Sequence, residues 1–138
     1  MRILFDSSAF AKRYLAENGS AEVLEWCEKA EELAISSITI PEIFSALNRL
    51  CREGNLTSTQ YQTAKDDLLA DVVDIAICDL DAQVVHKAIQ CLERSALRGM
   101  DAIHVACAMT LSVDRFITAD KRQHDAAQLA GLSTVLIF

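Results

Sequence analysis

Apolar residues along this chain follow two patterns that alternate from one end to the other. Short continuous apolar runs, several rich in β-branched residues, predict buried strands, and apolar residues recurring every three or four positions predict helices. The predicted strands cover residues 2–5, 33–38, 72–78, 115–118 and 134–138. Because helical stretches separate each strand from the next, we expect an α/β protein with a mainly parallel sheet covered on both faces.

The stretch from Gly99 to Leu111 is helix-length and apolar on nearly every side, which predicts a buried helix. Its single carboxylate, Asp101, therefore needs a partner, a metal ion or a shifted pKa. Capping of the helix N-terminus is the simpler alternative, because a carboxylate there accepts hydrogen bonds from free backbone N–H groups. His104 lies one turn later on the same face, where we expect a packed, hydrogen-bonded residue rather than a catalyst.

Start and stop signals place the other helices. Ser20 is a candidate N-cap for the second helix. Residues 39–42 include a proline suited to a first helical turn, with Glu42 beside it, and a capping-box pattern at 57–60 opens the next helix. We expect these two helices to form an antiparallel hairpin over residues 40–70.

A further helix follows the predicted strand at 72–78. Val85, Ala88 and Leu92 recur there at helical spacing, so we expect them to form its packed face.

Composition indicates one globular domain over residues 1–138. The chain is 51% hydrophobic, which is enough apolar material for a core. It has only 4 glycines and 1 proline, the residues typical of loops. Its net charge of −7 argues against general coating of nucleic acid through a positive surface. The first residues, MRILFD, do not resemble a signal peptide, and no apolar run reaches membrane-spanning length, so we expect a cytoplasmic protein without a membrane partner.

The cysteines lie far apart and include no C-x-x-C pair, which argues against a zinc site or a disulfide framework. We expect all of them to be reduced core residues: Cys27, Cys51, Cys78, Cys91 and Cys107.

Four carboxylates stand at the ends of strands or the beginnings of helices: Asp6, Glu42, Asp101 and Asp120. Each alone is compatible with a helix cap. If they converge, like charges a few ångströms apart repel strongly unless they are protonated or bridged by a cation. Convergence would therefore imply a divalent metal ion, which prefers oxygen ligands.

Four motifs carry a resemblance to a known family: LFDSSAF at 4–10, TIPEIFSAL at 39–47, GMDAIHVACA at 99–108 and FITADKR at 116–122. In this order and at these separations they resemble the PIN domain, and among its branches the VapC-type toxins. The resemblance covers essentially the whole chain. It implies a three-layer α/β/α sandwich with a mainly parallel central sheet and an acidic pocket that binds Mg²⁺ or Mn²⁺ and hydrolyses RNA phosphodiester bonds.

By that resemblance Asp6, Glu42, Asp101 and Asp120 are the catalytic and metal-binding acids, with Glu42 acting as a ligand or as the orienter of the attacking water. Ser8 and Thr118 resemble hydroxyl residues that hydrogen-bond the metal ligands and orient them without binding the metal themselves. The resemblance also implies an RNA substrate, an antitoxin protein as partner and a homodimer, for which exposed apolar residues on the 40–70 hairpin are candidate contacts.

Other functions remain as alternatives. A catalytically silent PIN-like module that binds RNA or a partner protein would retain the fold, although no acid is missing here. Dehalogenase-like phosphatases require a second aspartate where this chain has Ser8, and receiver domains require paired N-terminal acids that are also absent. A flap nuclease would need insertions that this short chain lacks.

Overall fold

A computed structural model describes residues 1–138 and contains one five-stranded sheet in which every strand runs parallel to its neighbours. The spatial order is β3-β2-β1-β4-β5, with β1 at the centre. Ile3 pairs with Leu33 of β2 on one side and Leu4 pairs with Phe116 of β4 on the other. The strands are β1 (Arg2–Phe5), β2 (Glu32–Ser36), β3 (Ala76–Cys78), β4 (Arg115–Thr118) and β5 (Thr134–Leu136).

Seven α-helices cover the two faces of this sheet. They are α1 (Ser7–Phe10), α2 (Ser20–Lys29), α3 (Thr39–Arg52), α4 (Ser58–Asp71), α5 (Ala82–Arg94), α6 (Gly99–Leu111) and α7 (Lys121–Leu129). Short 3₁₀ turns at Ala11–Arg13 and Val72–Asp74 follow α1 and α4. The expected α/β/α sandwich with a parallel sheet is therefore confirmed, and no helix has the length and apolar character needed to cross a membrane.

Alternation along β1 divides the core between the two faces of the sheet. Ile3 and Phe5 pack with Phe10 and Leu47 on one face, and Leu4 packs with the apolar residues of α6 on the other. The three β1 side chains, Phe10 and Leu47 are fully removed from solvent, as are the residues of α6 that face the sheet. The predicted buried helix is α6, with the expected bounds.

The third strand is shorter than its β-branched residues suggest. Residues 72–74 form a 3₁₀ turn at the end of α4, Val73 is 83% exposed, and only Ala76–Cys78 pairs with β2. The prediction of a strand over 72–78 is wrong at its beginning, because β-propensity reflects packing on a sheet and these residues have none to pack on.

The second helix begins without the side-chain cap expected from Ser20. Gly19 occupies the N-cap position with φ +92°, a left-handed conformation that favours glycine. The Ser20 hydroxyl instead donates to the Leu15 carbonyl and accepts from the Glu17 amide. The serine therefore holds the preceding loop rather than the helix end.

Helix α5 is rotated by about one residue from the face predicted for it. Val84, Ala88 and Cys91 are buried, whereas Val85 and Leu92 are exposed. The sequence has apolar residues on both of these adjacent stripes, so spacing alone favours neither.

The hairpin of α3 and α4 forms as predicted, with the Thr57–Gln60 capping box in place. Phe44 and Tyr61 meet across the hairpin with ring centroids 6.5 Å apart. Leu69 is the one large apolar side chain of the hairpin that is exposed, so the apolar surface expected there is small. The cysteines are all free, and Cys78, Cys91 and Cys107 are buried in the core as expected. Cys27 and Cys51 are half-buried, so the expectation of a core position is wrong for these two.

The sheet order fixes where a ligand site can lie. From β1 the chain passes to β2 and β3 on one side, then crosses to β4 and β5 on the other. The carboxyl ends of β1 and β4 therefore flank the point where the topology reverses, which is where parallel sheets bind ligands. The Asp6 amide donates to the Ile117 carbonyl at 3.0 Å and joins these two strand ends.

Candidate active site

Asp6 follows β1 directly and is fully buried. Its Oδ1 accepts from the Ala9 amide at 2.9 Å, which makes Asp6 the N-cap of α1. Burial raises the pKa of this carboxyl, against the opposing charge of His104 and the hydrogen bonds that it receives. A carboxylate held where its charge is disfavoured is the kind of group that functional sites contain.

Two hydroxyl groups hydrogen-bond the Asp6 carboxylate and fix its orientation. The Ser8 hydroxyl lies 2.9 Å from Oδ1 and 2.7 Å from Oδ2, and the Thr118 hydroxyl donates to Oδ2 at 2.7 Å. Thr118 also accepts from the Asp120 amide at 2.9 Å, and Ser8 accepts from the Ala119 amide. The two hydroxyls predicted to support the acids thus lie against Asp6, while their role in binding a metal stays a prediction.

Glu42 enters from the first turn of α3 and meets two side chains from other elements. Its Oε1 accepts from the Ser7 hydroxyl at 2.6 Å and lies 2.7 Å from Nε2 of His104. Glu42 is about one third exposed, whereas His104 is 1% exposed. The hydrogen bond from His104 lowers the pKa of Glu42, an effect that burial opposes and Ser7 adds to.

Asp101 and Asp120 lie at the N-termini of α6 and α7. Asp120 caps α7 by accepting from the Arg122 amide at 2.8 Å. Asp101 accepts from the Gln123 side-chain amide at 3.1 Å. Burial raises the pKa of Asp101, and the negative charges of Asp120 and Glu42 raise it further. These carboxylates are therefore close enough to repel one another.

The side chains as they stand form no group of three or more His, Cys, Asp or Glu residues placed to hold a metal ion. The chemistry of the donors nevertheless fits Mg²⁺ or Mn²⁺, since all four acids present oxygens and two of them have raised pKa values that a cation would reverse. Side-chain rotation would have to bring them together. The ligand role of the four acids accordingly stays a prediction.

Two open cavities adjoin the site, and Glu42 lines both of them. One, of about 540 Å³, is walled by apolar residues of α5 and reaches Arg98 and Asp101. The other, of about 440 Å³, lies between α1 and α3 and contains Ser7. Glu42 therefore stands where the two grooves meet, and Asp101 lines the larger of them.

Most of the basic residues near these grooves are already paired. Lys12 contacts Glu17, and Arg49 contacts Glu53, both at the smaller groove. Arg98 is exposed in the larger groove beside Asp101 and forms no ion pair. It is therefore the guanidinium best placed to meet a phosphate.

Sequence reasoning missed three side chains of the site: Ser7 as a partner of Glu42, Gln123 and Arg98. It also expected a hydrogen bond for His104 without identifying Glu42 as the partner. The spacing of residues 101 and 104 in one helix was the available signal for His104. Nothing in the sequence indicated that α7 would turn Gln123 toward Asp101 rather than toward solvent.

Comparison with known proteins gives matches along nearly the entire chain. The PIN domain family matches residues 3–129. Ribonuclease VapC45 of Mycobacterium tuberculosis is 30% identical over 131 residues, which are 94% of this chain and 91% of that protein.

Solved structures share the fold at lower identity. A toxin-antitoxin complex from Klebsiella pneumoniae superposes with a TM-score of 0.72 at 18% identity, over 99% of this chain and 98% of that one. The sarcin-ricin loop cleaving toxin VapC20 of Mycobacterium tuberculosis superposes with a TM-score of 0.70 at 19% identity, over 97% of this chain and 98% of that one.

Proposed function

This chain belongs to the PIN domain family, and we propose that it is a metal-dependent endoribonuclease that acts as the toxin of a toxin-antitoxin pair. The observation that carries the proposal is the electrostatic coupling of the acids beside the carboxyl ends of β1 and β4: the charges of Asp120 and Glu42 raise the pKa of Asp101, and Thr118 hydrogen-bonds both Asp6 and the Asp120 amide. The ribonuclease name of a relative at 30% identity supports the same activity.

In this proposal Asp6, Asp101 and Asp120 hold Mg²⁺ or Mn²⁺, and Glu42 is a ligand or the orienter of the attacking water. The ion would supply positive charge that offsets the charge developing on the phosphate. Because the pKa of Glu42 is lowered, its carboxylate stays ionised and can accept a hydrogen bond from that water. Ser8 and Thr118 keep Asp6 in one orientation.

The substrate is proposed to be single-stranded RNA lying in the grooves that meet at Glu42. The overall charge of −7 gives no general attraction for a polyanion, so binding must depend on a few cations at the site. Arg98 lies in the larger groove with Glu42 and Asp101, and Arg122 follows Asp120 without an ion pair. These two guanidinium groups are the candidate phosphate contacts.

An antitoxin protein is the proposed partner, because one of the similar solved structures is a toxin-antitoxin complex. We also propose a cytoplasmic location and a homodimer. The α3–α4 hairpin offers little exposed apolar surface for such a dimer, because the larger set of exposed apolar side chains lies on α5 and the start of α6, where it walls the larger groove: Val85, Ile89, Leu92 and Met100. Sedimentation velocity of the purified chain tests the dimer directly.

The decisive experiment follows cleavage of a labelled single-stranded RNA by purified protein with Mg²⁺, with Mn²⁺ and with a chelator. Wild type is compared with Asp101→Asn, and with Asp67→Asn as a matched control on the exposed face of α4. Cleavage by wild type and Asp67→Asn that the chelator and Asp101→Asn each abolish would support the proposal.

Two results would contradict it. Cleavage that persists in Asp101→Asn would indicate a contaminating nuclease or a different site. Inactivity of wild type and variants alike, with no Mn²⁺ binding by calorimetry, would favour the silent PIN-like module.

The toxin role is tested separately in growing bacteria. Induced wild type should arrest growth, Asp101→Asn should not, and co-expression of the reading frame directly upstream should relieve the arrest. Unimpaired growth with an enzyme active in vitro would instead indicate a housekeeping nuclease.

A further inference from the structure

The buried histidine of α6 makes one polar contact that matters for the site. Nε2 of His104 lies 2.7 Å from Oε1 of Glu42 and 3.2 Å from the hydroxyl of Ser7. Since an ionised carboxylate only accepts hydrogen bonds, Nε2 carries a proton and its N–H donates a hydrogen bond to Oε1 of Glu42. The imidazole is therefore held in a defined orientation by α3.

The opposite edge of the same ring has no such partner. Nδ1 of His104 is buried and forms no hydrogen bond. Burying a polar ring for packing alone would be unfavourable, because an apolar side chain of similar size fills the same volume without an unpaired nitrogen. The polar interactions that this buried ring gains are all at Nε2, where Glu42 is the nearer partner at 2.7 Å and Ser7 lies at 3.2 Å.

Ser7 supplies a second donor to the same oxygen of Glu42. Its hydroxyl lies 2.6 Å from Oε1. Two donors from α1 and α6 thus converge on Oε1, while the side chain remains about one third exposed at the junction of the two grooves. With Oε1 fixed in this way, Oε2 is the oxygen left to face the groove.

We propose that His104, together with Ser7, is a positioning residue that holds Glu42 so that Oε2 points toward the reacting phosphate. This inference rests on the proposed nuclease function and deepens it. His104 is buried out of reach of a substrate in the grooves, and the Ser7 hydroxyl donates to Glu42. Each acts through Glu42, and residues that orient a metal-site carboxylate change affinity or activity by about 10–100-fold when removed.

The test compares two substitutions of His104 that differ in hydrogen bonding. His104→Leu keeps most of the apolar volume and removes the donor, whereas His104→Gln restores an N–H at a similar reach. His86→Leu is the matched control, because His86 is exposed on α5 and lies outside the site. The readouts are kcat and KM for the labelled RNA, the Mn²⁺ dissociation constant by calorimetry, and the melting temperature.

We expect His104→Leu to lower kcat by about 10–100-fold and to weaken Mn²⁺ binding by about 10-fold, with KM for RNA within about twofold of wild type. His104→Gln should recover most of both losses. His86→Leu should match wild type. Recovery by glutamine would distinguish a hydrogen bond to Glu42 from simple filling of the core.

Several outcomes would overturn the inference. Wild-type kcat and Mn²⁺ affinity in a folded His104→Leu would do so, and so would a His104→Gln protein as impaired as His104→Leu at an unchanged melting temperature. If His104→Leu fails to fold, Ser7→Ala decides, because it removes the other donor at a half-buried position and should lower kcat at least about threefold. Wild-type kcat in Ser7→Ala would then overturn the inference.

Failure of the proposed function gives a different pattern. A wild type that neither cleaves RNA nor binds Mn²⁺ overturns the nuclease assignment and this inference with it. If the wild type is active and the variants at His104 and Ser7 keep its kcat and Mn²⁺ affinity, this inference alone is overturned.

Discussion

The hydroxyl of Thr118 donates to Oδ2 of Asp6 at 2.7 Å and accepts from the amide of Asp120 at 2.9 Å. One side chain at the end of β4 thereby joins the acid that follows β1 to the acid that begins α7. Residues 112 positions apart in the chain are fixed relative to each other by this contact. This buried oxygen thus helps to fix the spacing of two of the candidate ligands, together with the Ser8 hydroxyl that bridges Asp6 and the Ala119 amide.

Replacing Thr118 with valine keeps the shape of the side chain and removes that oxygen. We expect Thr118→Val to lower kcat by about 10–100-fold and the free energy of unfolding by about 1–2 kcal/mol, because Asp6 and the Asp120 amide each lose a partner. Thr118→Ser retains the hydroxyl and should keep most of the activity. Steady-state cleavage and urea unfolding measure the two effects, and equal activity in both variants would contradict the proposed role.

Asp6→Asn should separate activity from stability. Burial raises the pKa of Asp6, so at neutral pH the ionised carboxylate reduces the free energy of unfolding, and a neutral isostere relieves that cost. We expect cleavage to fall by more than about 100-fold while the melting temperature stays equal or rises. The stability gain should shrink as pH falls toward 3.8, where an unfolded aspartate also protonates. A large drop in melting temperature would show that Asp6 is primarily a structural cap.

The sequence was sufficient to predict elements that depend on residues close together in the chain. The runs RILF and RFIT form strands with the expected bounds, and the pattern at 57–60 forms a capping box, because each depends on neighbours within a few positions. Because helices separate the successive strands, the order of elements also predicted a parallel sheet. The four acids at element ends were recognisable for the same reason.

The sequence was insufficient where packing between distant elements decides the outcome. Val84 and Val85 are equally suited to a buried face, and only the position of α6 against α5 selects Val84. Likewise, the bond between His104 and Glu42 joins residues 62 positions apart. No local sequence pattern predicts this contact, because it depends on how α3 and α6 pack against the sheet.

Arg98 provides a test of RNA binding that leaves the acids intact. Its guanidinium is exposed in the larger groove beside Asp101 and has no ion pair. Arg98→Ala should raise KM for RNA several-fold and reduce the slope of log affinity against log salt by about one phosphate contact, with kcat little changed. Arg94→Ala, an exposed arginine at the end of α5, is the matched control. Identical salt dependence in both variants would exclude Arg98 as a phosphate contact.

Gly19 is required by both its backbone angle and its surroundings. Its φ is +92°, and an added Cβ would lie 2.5 Å from Cγ2 of Ile137 and 3.1 Å from the carbonyl oxygen of Phe138. Gly54 also has a positive φ, of +77°, but nothing lies within 4 Å of its Cβ position. Gly54→Ala should therefore cost about 1 kcal/mol and Gly19→Ala at least about 2 kcal/mol in urea unfolding. Equal losses would show that Ile137 moves aside freely.

The contact of Asp71 with Arg13 and Tyr14 predicts a specific pH dependence of stability. Asp71 accepts from Nε of Arg13 at 2.9 Å and from the Tyr14 hydroxyl at 2.7 Å, which ties the segment after α1 to the end of α4. Burial opposes the charge, but the hydrogen bonds from these two donors prevail and lower the pKa of Asp71 below its ordinary 3.8. The folded protein therefore binds a proton at Asp71 less readily than the unfolded chain does.

This contact should therefore stabilise the protein above pH 3.8 and cease to do so as pH falls through the lower folded pKa. At about pH 7 we expect Asp71→Asn to reduce the free energy of unfolding by about 1 kcal/mol, with a smaller difference below about pH 4. Tyr14→Phe should lose part of this energy, since its ring still packs edge-on against Phe10 at 5.4 Å. Asp67→Asn, on the exposed surface of α4, should change little at any pH. Urea midpoints across the pH range measure the effect, and a difference between wild type and Asp71→Asn that grew on acidification would contradict the assigned sign.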